Sequence, residues 1–385
     1  MAKLKVLELF AGIGAFSKSL ERLKIDHEIV DAVEIDKYAI KSFNAIHGTN
    51  FEPQDITTWN KDIEVDIIMH GSPCQDFSLA GLGKGGDKNS GTRSSLMYET
   101  LRIVEKLKPK YVIWENVKNL LSKKHKHNFD AYLQAMSDLG YSNKYKVLNA
   151  KDFGIPQNRE RIFTVSIRAG LDNSFVFPDA KPLKKKLRDF LEKNPDERFY
   201  LSDEQISSFV VSGNKKVCNS GMVGKVEAFN GYDIIKRVYG IDGESPTINT
   251  CQGGHREVKI MAEVPIRNAT NKGYDIACDG DAIDFSFPHS TTKRGRVGHK
   301  MARTIKTVDD QGVLDGYSIR KLTPQECWRL MGFDIKDFQK AKKVGMSNSQ
   351  LYKQAGNSIV VNVLEAISKN LLKPKTGNQQ ANKIP

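Results

Sequence analysis

Over residues 1–180, short apolar runs alternate with segments whose apolar positions recur every three or four residues. The runs Val6–Phe10, Ile29–Val33, Val65–Met69, Tyr111–Trp114 and Ile162–Ile167 are brief and almost unbroken by polar residues. That character predicts strands buried on both faces. Ala15–Leu23, Leu96–Leu107 and Asn128–Leu139 have the period of helices with one apolar side. Strand and helix in alternation predict an α/β fold, a doubly wound and mostly parallel sheet covered by helices.

The pattern then changes. From 181 to about 315 the chain is rich in Gly, Asn, Asp and Thr, and its apolar segments are short and poorly periodic. A smaller, loop-rich module is expected there. Thr323-Pro324 opens a helix by its N-cap and first-turn chemistry, and Leu351–Leu372 is predicted as one long apolar-periodic helix. The expected division is 1–180, 181–335 including a hinge, 345–372 returning to the first part, and a polar, disordered tail over 373–385. Ser245–Thr250 and Ala302–Thr307 resemble each other only weakly and define no repeat.

Composition narrows the class. With 39% hydrophobic and 27% charged residues, the 385-residue chain is ordinary for a soluble globular protein. No span is apolar enough for a membrane helix, and residues 1–14 lack a secretory pattern, so a cytoplasmic protein with no membrane partner is expected. The five cysteines are widely spaced without a C-x-x-C pair, so neither a metal site nor a disulfide framework is expected. The formal charge of +13 gathers partly in Lys123–His127, Lys184–Lys186 and Lys293–Arg303, which favours a polyanionic partner.

Candidate chemistry begins at Pro73-Cys74-Gln75, which follows Val65–Met69 through Gly71 and Ser72 and precedes the Gly-rich stretch Gly81–Gly91. One thiol thus stands at the carboxyl end of a buried strand, where open α/β sheets bind their ligands. A thiolate there can act as a nucleophile, although an isolated cysteine is more often an inert core residue. The residues around it decide. Phe10-Ala11-Gly12-Ile13-Gly14 follows the first strand and opens a helix, so its glycines permit close approach of a ligand to the backbone. Glu34, twenty residues after Gly14, ends the second strand, where an acidic side chain takes ribose hydroxyls. Asp55 can accept from an adenine amine, with Ile35 and Ile56 lining the ring; the plain alternatives are a strand end for Glu34 and a turn cap for Asp55. Neither G-x-G-x-x-G nor a P-loop occurs, which leaves an adenosine cofactor without phosphates.

Two further blocks lie at later strand ends, Trp114-Glu115-Asn116-Val117 and Gln157-Asn158-Arg159-Glu160-Arg161. Together with Gly71–Ser78, Arg320–Cys327 and Gln354–Val360, they make the chain resemble the DNA (cytosine-5)-methyltransferase family, of the prokaryotic or phage restriction-modification type. The resemblance spans nearly everything except 181–315. It implies an S-adenosylmethionine-dependent methyltransferase fold with a target-recognition domain, double-stranded DNA as substrate, and S-adenosyl-L-methionine as cofactor. Cys74 is then the nucleophile, Glu115 the acid at the ring nitrogen, and Asn116, Arg159 and Arg161 line the base. Cofactor contacts are implied for Phe10, Ala11, Gly12, Ile13, Gly14, Glu34, Ile35, Asp55, Ile56, Pro73, Leu96, Asn357 and Ser358.

Cytosine C5 is a poor nucleophile, so a thiolate adds first at C6, and an acid at N3 neutralises the charge that builds on the ring. A base stacked in a duplex is out of reach and must rotate out. A loop over Gly81–Ser94, mobile without DNA, is expected to close on it. DNA contacts are expected from Gln75, Ser78 and Arg93, and from Thr247, Gln252, Arg256, Arg294 and Arg296. A monomer is expected, and a cognate restriction endonuclease is a partner the resemblance allows. The rivals are an RNA cytosine methyltransferase, a silent DNA-binding regulator of the same fold, and a cysteine hydrolase pairing His70 with Cys74. The first lacks its Cys-Phe-Thr segment here, the second would have lost Cys74 or Glu115, and the third has no acyl-binding motif.

Overall fold

The computed structural model describes residues 3–73, 96–200, 209–211, 221–241, 243–251, 254–261, 264–271, 273–278, 282–284, 292, 294–298, 311–313 and 319–372. Its largest element is a six-stranded sheet built from β1 (Leu4–Leu9), β2 (His27–Val33), β3 (Ile67–His70), β4 (Tyr111–Val117), β5 (Tyr141–Asn149) and β6 (Glu160–Arg168). The spatial order is β2-β1-β3-β4-β6-β5; β1 to β4 run parallel, and β6 is antiparallel to both its neighbours. Successive side chains face opposite sides, so Ile67, Met69 and Ile113 enter one core while Ile68, Val112 and Trp114 enter the other. Both faces are covered, as the unbroken apolar runs predict.

Helices α1 (Ala15–Arg22), α2 (Lys37–His47), α3 (Met97–Leu107) and α4 (Lys126–Asp138) connect these strands. The sequence reading omits α2, yet its limits are chemically marked. The Asp36 carboxylate accepts from the backbone N–H of Tyr38 and Ala39, and Gly48 closes the helix at φ 70°. Near the other end of the chain, Thr323 and Glu326 form a reciprocal capping box around Pro324–Leu330. The predicted long helix is instead two, Asn348–Asn357 and Val361–Leu372, with Ser358 extended between them. The break has a cause: the carbonyls of Gly356 and Ser358 accept from the Arg159 guanidinium at 3.1 and 2.9 Å.

Short strands, rather than loops alone, organise the middle of the chain. β7 (Phe209–Val211), β8 (Gly221–Val226), β9 (Arg237–Gly240) and β10 (Lys259–Met261) join a late strand, β16 (Ile319–Lys321), in one sheet of order β16-β10-β9-β8-β7. β11 (Val264–Arg267) pairs with β12 (Tyr274–Ala277), and β13 (Ala282–Asp284) lies between β14 (Val297–Gly298) and β15 (Gln311–Val313). Strands of two to six residues leave little periodicity to read. Cys278 is disulfide-bonded, which corrects the expectation drawn from cysteine spacing: residues far apart in sequence can meet once folded. Among the described residues, no helix is long and apolar enough to cross a membrane, and no group of three or more His, Cys, Asp or Glu could hold a metal ion.

A buried ion pair ties this sheet to the helices that follow it. The two terminal nitrogens of Arg320 donate to the two carboxylate oxygens of Glu326 at 2.9 and 2.8 Å, and Glu326 also accepts from the Thr323 and Glu192 backbones. Both side chains are almost fully buried. Removing one partner strands a charge out of water, whereas replacing both by apolar groups does not. Arg320→Met is therefore expected to lower unfolding free energy by about 3–5 kcal/mol in urea titrations, and the double change Arg320→Met/Glu326→Leu by clearly less.

Candidate active site at the strand ends

The sheet reverses direction of winding between β1 and β3, which opens a crevice at their carboxyl ends. A recess of about 400 Å³, counted with its open mouth, lies there. Its walls include Phe10 and Gly12 after β1, Gly71 after β3, Glu115 on β4, and Asn357 and Ser358 from the break between the last two helices. Four separate stretches of sequence thus meet at one place.

The turn after β1 is shaped by backbone that only glycine adopts readily. Gly12 has φ 57° with open space where a side chain would project, and Gly14 has φ 78° against His47. A Cβ on Gly14 would lie 2.1 Å from the His47 ring. Phe10 also lies at positive φ, while Ala11 donates to the Val33 carbonyl and Ile13 is buried in the core. Gly14 stands at the N-cap of α1 and offers no side chain, and Glu8 from the neighbouring strand supplies one. The Glu8 carboxyl accepts from the backbone N–H of Ser17 at 3.1 Å and from its hydroxyl. Burial pushes this acid up to about 7.

Glu34 accepts from the Gly12 N–H at 3.0 Å and the Asp36 N–H at 2.9 Å, which fixes its carboxylate beside the glycine turn. Burial raises its pKa, against the lowering effect of those hydrogen bonds. Ile35 is 70% exposed and presents an apolar surface next to it. Ile56 does not match it: at 6% exposure it packs in the core with Leu9, Val33 and Trp59. Asp55 is exposed and accepts from the N–H and hydroxyl of Thr57, the turn cap named above as the plain alternative. Pro73 and Leu96, both partly buried, are the described residues flanking 74–95.

Glu115 is 8% exposed, and its Oε1 lies 3.1 Å from Arg161 Nε. Burial raises the acid's pKa; Arg161 and, more remotely, Arg159 pull in the other direction. A Cβ on Gly71 would come within 3.7 Å of Glu115 Oε2, so the missing side chain leaves room beside that oxygen. Asn116 is buried, with its amide donating toward the Ser72 carbonyl at 3.4 Å and its oxygen accepting from the Val117 N–H. Trp114 donates from Nε1 to Ser72 Oγ at 3.0 Å.

Arg159 is tied to the backbone around it. Its guanidinium donates to the carbonyls of Ile248, Gly356 and Ser358 at 2.9–3.1 Å, and the side chain is 5% exposed. Gln157, fully buried, accepts from the Ile248 N–H and donates to the Leu330 carbonyl. Gly356 is pressed so close to Asn249 that a Cβ would lie 2.4–2.6 Å from its backbone and that of Thr250. One seam therefore binds β6, the 245–250 segment and the last helices. Its residues are polar and far apart in sequence, which hides it from pattern reading.

The DNA-contact expectations divide. Arg256 and Arg294 are exposed, and Thr247 is exposed with its hydroxyl donating to the Asn158 carbonyl. Arg296 is 3% exposed, which corrects its assignment as a DNA contact: it is buried immediately before β14. Cys74, Gln75, Ser78, Arg93 and Gln252, the 81–94 loop and the 373–385 tail lie outside the described residues. His70 is fully buried, hydrogen-bonded to Tyr132 at 2.9 Å and stacked on Trp114, and burial lowers its pKa to about 3. It is a core residue, which removes the hydrolase pairing.

The fold is one that a solved methyltransferase shares. The S. pombe Dnmt2 methyltransferase superposes with TM-score 0.61 at 18% identity, covering 96% of this chain and 98% of that one. By sequence, residues 4–373 match the family profile for C-5 cytosine-specific DNA methylase, and the chain belongs to that family. It is 35% identical over 446 aligned positions to the orphan methyltransferase M.SPBetaI of Bacillus phage SPbeta, covering 97% and 98% of the two chains. It is 32% identical to the type II methyltransferase M.HhaI of Haemophilus parahaemolyticus, over 96% of this chain and 94% of the relative. The protein is a DNA (cytosine-5-)-methyltransferase.

The cap on α1 supplies a pH test. Because folded Glu8 loses its proton at a higher pH than the unfolded side chain, its contribution to stability is fully present below the ordinary carboxylate range and declines as pH rises through about 7. Glu8→Gln is expected to flatten that decline between pH 5 and 7.5 in urea unfolding; an unchanged slope would assign it to other groups.

Proposed function

We propose that this enzyme transfers the methyl group of S-adenosyl-L-methionine to C5 of a cytosine rotated out of a specific DNA duplex, through a transient bond between Cys74 and C6. The observation that carries the proposal is that a buried carboxyl group, Glu115, shares one recess with the Gly12 turn and with Asn357 and Ser358. Acid and cofactor wall open onto the same space.

The residues fit an adenosine-bearing cofactor. Gly12 has no atom within 4 Å of where a Cβ would lie, so a ligand can meet the backbone that borders the recess. Glu34 would take the ribose hydroxyls, Ile35 would lie against the adenine ring, and Asp55 would accept from its amine. Phe10, Ala11, Pro73, Leu96, Asn357 and Ser358 shape the remaining wall, whereas Ile13 and Ile56 support it from the core. The cofactor supplies an electrophilic methyl on a positively charged sulfur.

Cys74, as thiolate, adds to C6, and the pair of electrons displaced from the ring reaches N3, where protonated Glu115 donates. The neutral enamine that results has a nucleophilic C5, which takes the methyl group. Loss of the C5 proton to an ordered water and expulsion of the thiolate restore the aromatic ring. Burial serves this chemistry by keeping Glu115 protonated at higher pH than an exposed carboxyl. Arg161, on Glu115 Oε1, leaves Oε2 as the oxygen nearer Gly71. Arg159 and Asn116 act by holding the walls.

Residues 1–180 with the 345–372 return form the catalytic part, and 181–335 reads the duplex. Gln75, Ser78 and Arg93 would meet DNA near the extruded base, and Gln252, Arg256 and Arg294 on the reading side. A single copy holds every group the reaction uses, which supports a monomer. The protein acts in the cytoplasm, where its DNA lies. Relatives named as orphan and as type II enzymes leave a restriction partner to be established by its genomic neighbours.

Labelled S-adenosylmethionine with duplex DNA, and separately with transfer RNA, tests the reading. Label is expected in DNA and to be abolished by Cys74→Ala; incorporation that survives the substitution would falsify the thiol mechanism, and preference for transfer RNA would replace the substrate. Glu115→Gln is expected to lower turnover at least ~10²-fold. In the wild type, kcat/KM should fall as pH rises through the Glu115 pKa. Arg161→Met removes a group that lowers that pKa, so the fall should move to higher pH.

A further inference from the structure

Lys259 on β10 is 1% exposed, yet it carries a charge that nothing in the proposed chemistry uses. Its ammonium donates to the backbone carbonyls of Ile235, His255 and Glu257 and lies 4.8 Å from the centre of the Phe229 ring. The His255 ring stacks on the same Phe229 at 4.2 Å. Three carbonyls and an aromatic face compensate a buried cation, but an apolar side chain would fill the same space without the cost of desolvation. The cation is instead placed where the chain needs to be drawn into an unfavourable shape.

That shape is the turn following Asn249. Cys251, Gly254 and His255 all have positive φ, at 49°, 65° and 57°, and for two of these residues the conformation is strained. Asn249 closes the neck of the turn, accepting from the Cys251 N–H at 2.8 Å and donating to the Arg256 carbonyl at 3.1 Å. On one side, the turn is seated against Gly356, next to the residues that line the recess. On the other side, Gly254, His255 and Arg256 are exposed. The carbonyls on either side of Arg256, those of His255 and Glu257, are two of the three that Lys259 holds.

We propose that Lys259 is a specificity-determining positioning residue, an internal cation that fixes the strained 254–257 turn so that Arg256 is presented to the base edges of the target duplex in one orientation. The proposal rests on the reading that this turn faces DNA. An arginine held in one direction can pair with a guanine edge through two hydrogen bonds, and such pairs discriminate between bases only when their geometry is set. Lys259 touches no substrate; it acts through the backbone of the turn. Burial lowers its pKa to about 8, with Glu257 opposing and Lys321 assisting, so the ammonium is the prevailing form at neutral pH.

The test uses the full chain on a duplex pool with randomised flanks around cytosine, methylated positions being read by bisulfite conversion. Turnover at saturating cognate duplex and affinity for S-adenosylmethionine are measured beside it. Arg256→Ala, an exposed change, tests whether the turn reads DNA: loss of discrimination at one base position is expected. Lys259→Met is expected to lower discrimination at that same position at least tenfold and to raise KM for DNA about as much. Turnover at saturation should stay within threefold and cofactor affinity unchanged.

If Arg256→Ala leaves the sequence preference intact, the DNA-facing reading of the turn fails. If Arg256→Ala relaxes the preference and Lys259→Met does not, the positioning role of Lys259 is overturned. Equal losses in turnover, cofactor affinity and discrimination would also overturn it, since they denote general damage. Should Lys259→Met not fold, Phe229→Leu removes the ring on which both the ammonium and the His255 ring rest and decides in its place: undiminished discrimination contradicts the proposal.

Discussion

Ile248 is gripped at both ends of its peptide unit, its N–H by Gln157 and its carbonyl by Arg159, and the rest of the active region depends on that grip. Gln157 and Arg159 lie just before β6, so what they hold is held relative to the sheet. Through its other hydrogen bonds Arg159 fixes Gly356 and Ser358, and through Leu330 Gln157 fixes the helix behind them. The two side chains are buried and polar, and every hydrogen bond named here ends on a backbone carbonyl or amide. A buried polar network of this kind, with its partners satisfied, rigidifies its surroundings and specifies one arrangement. It ends the helix at Asn357, and thereby turns Asn357 and Ser358 toward the recess.

The charges gathered here also follow from burial. Glu8 on β1, Glu34 just after β2 and Glu115 on β4 belong to one sheet, and in each the carboxyl is pushed up by loss of water. Each has a different set of partners. Glu8 caps α1 in place of the missing side chain of Gly14, Glu34 binds the Gly12 amide, and Glu115 meets Arg161. The hydrogen bonds on Glu8 and Glu34 secure a helix start and the glycine turn, while burial raises the pKa of the acid on β4.

Much of this was legible in the sequence, for physical reasons that can be named. The parallel strands are buried on both faces, so β1, β3 and β4 read as continuous apolar runs, and Thr323-Pro324 marks a helix start by cap chemistry. Gly12 and Gly14 were readable because backbone at positive φ leaves glycine little competition. The small sheets around β7 to β15 were not, since strands this short carry no period. Nor was the break at Ser358, whose cause lies about 200 residues away in Arg159. Arg159 and Arg296 show the same limit: a sequence gives a guanidinium's presence, and only the fold gives its direction. Ile56 likewise has the right residue type for a ring contact but faces the core.

Whether a thiol and a buried acid act together on one unstacked pyrimidine is decided by a duplex carrying 5-fluorocytosine at the target position. Fluorine cannot leave as the C5 proton does, so the covalent species should accumulate. With S-adenosylmethionine present, the account predicts a stable protein–DNA adduct whose mass includes one methyl group and whose DNA is attached at Cys74. An active preparation that turns over ordinary duplex yet yields no adduct with the fluorinated one would contradict it.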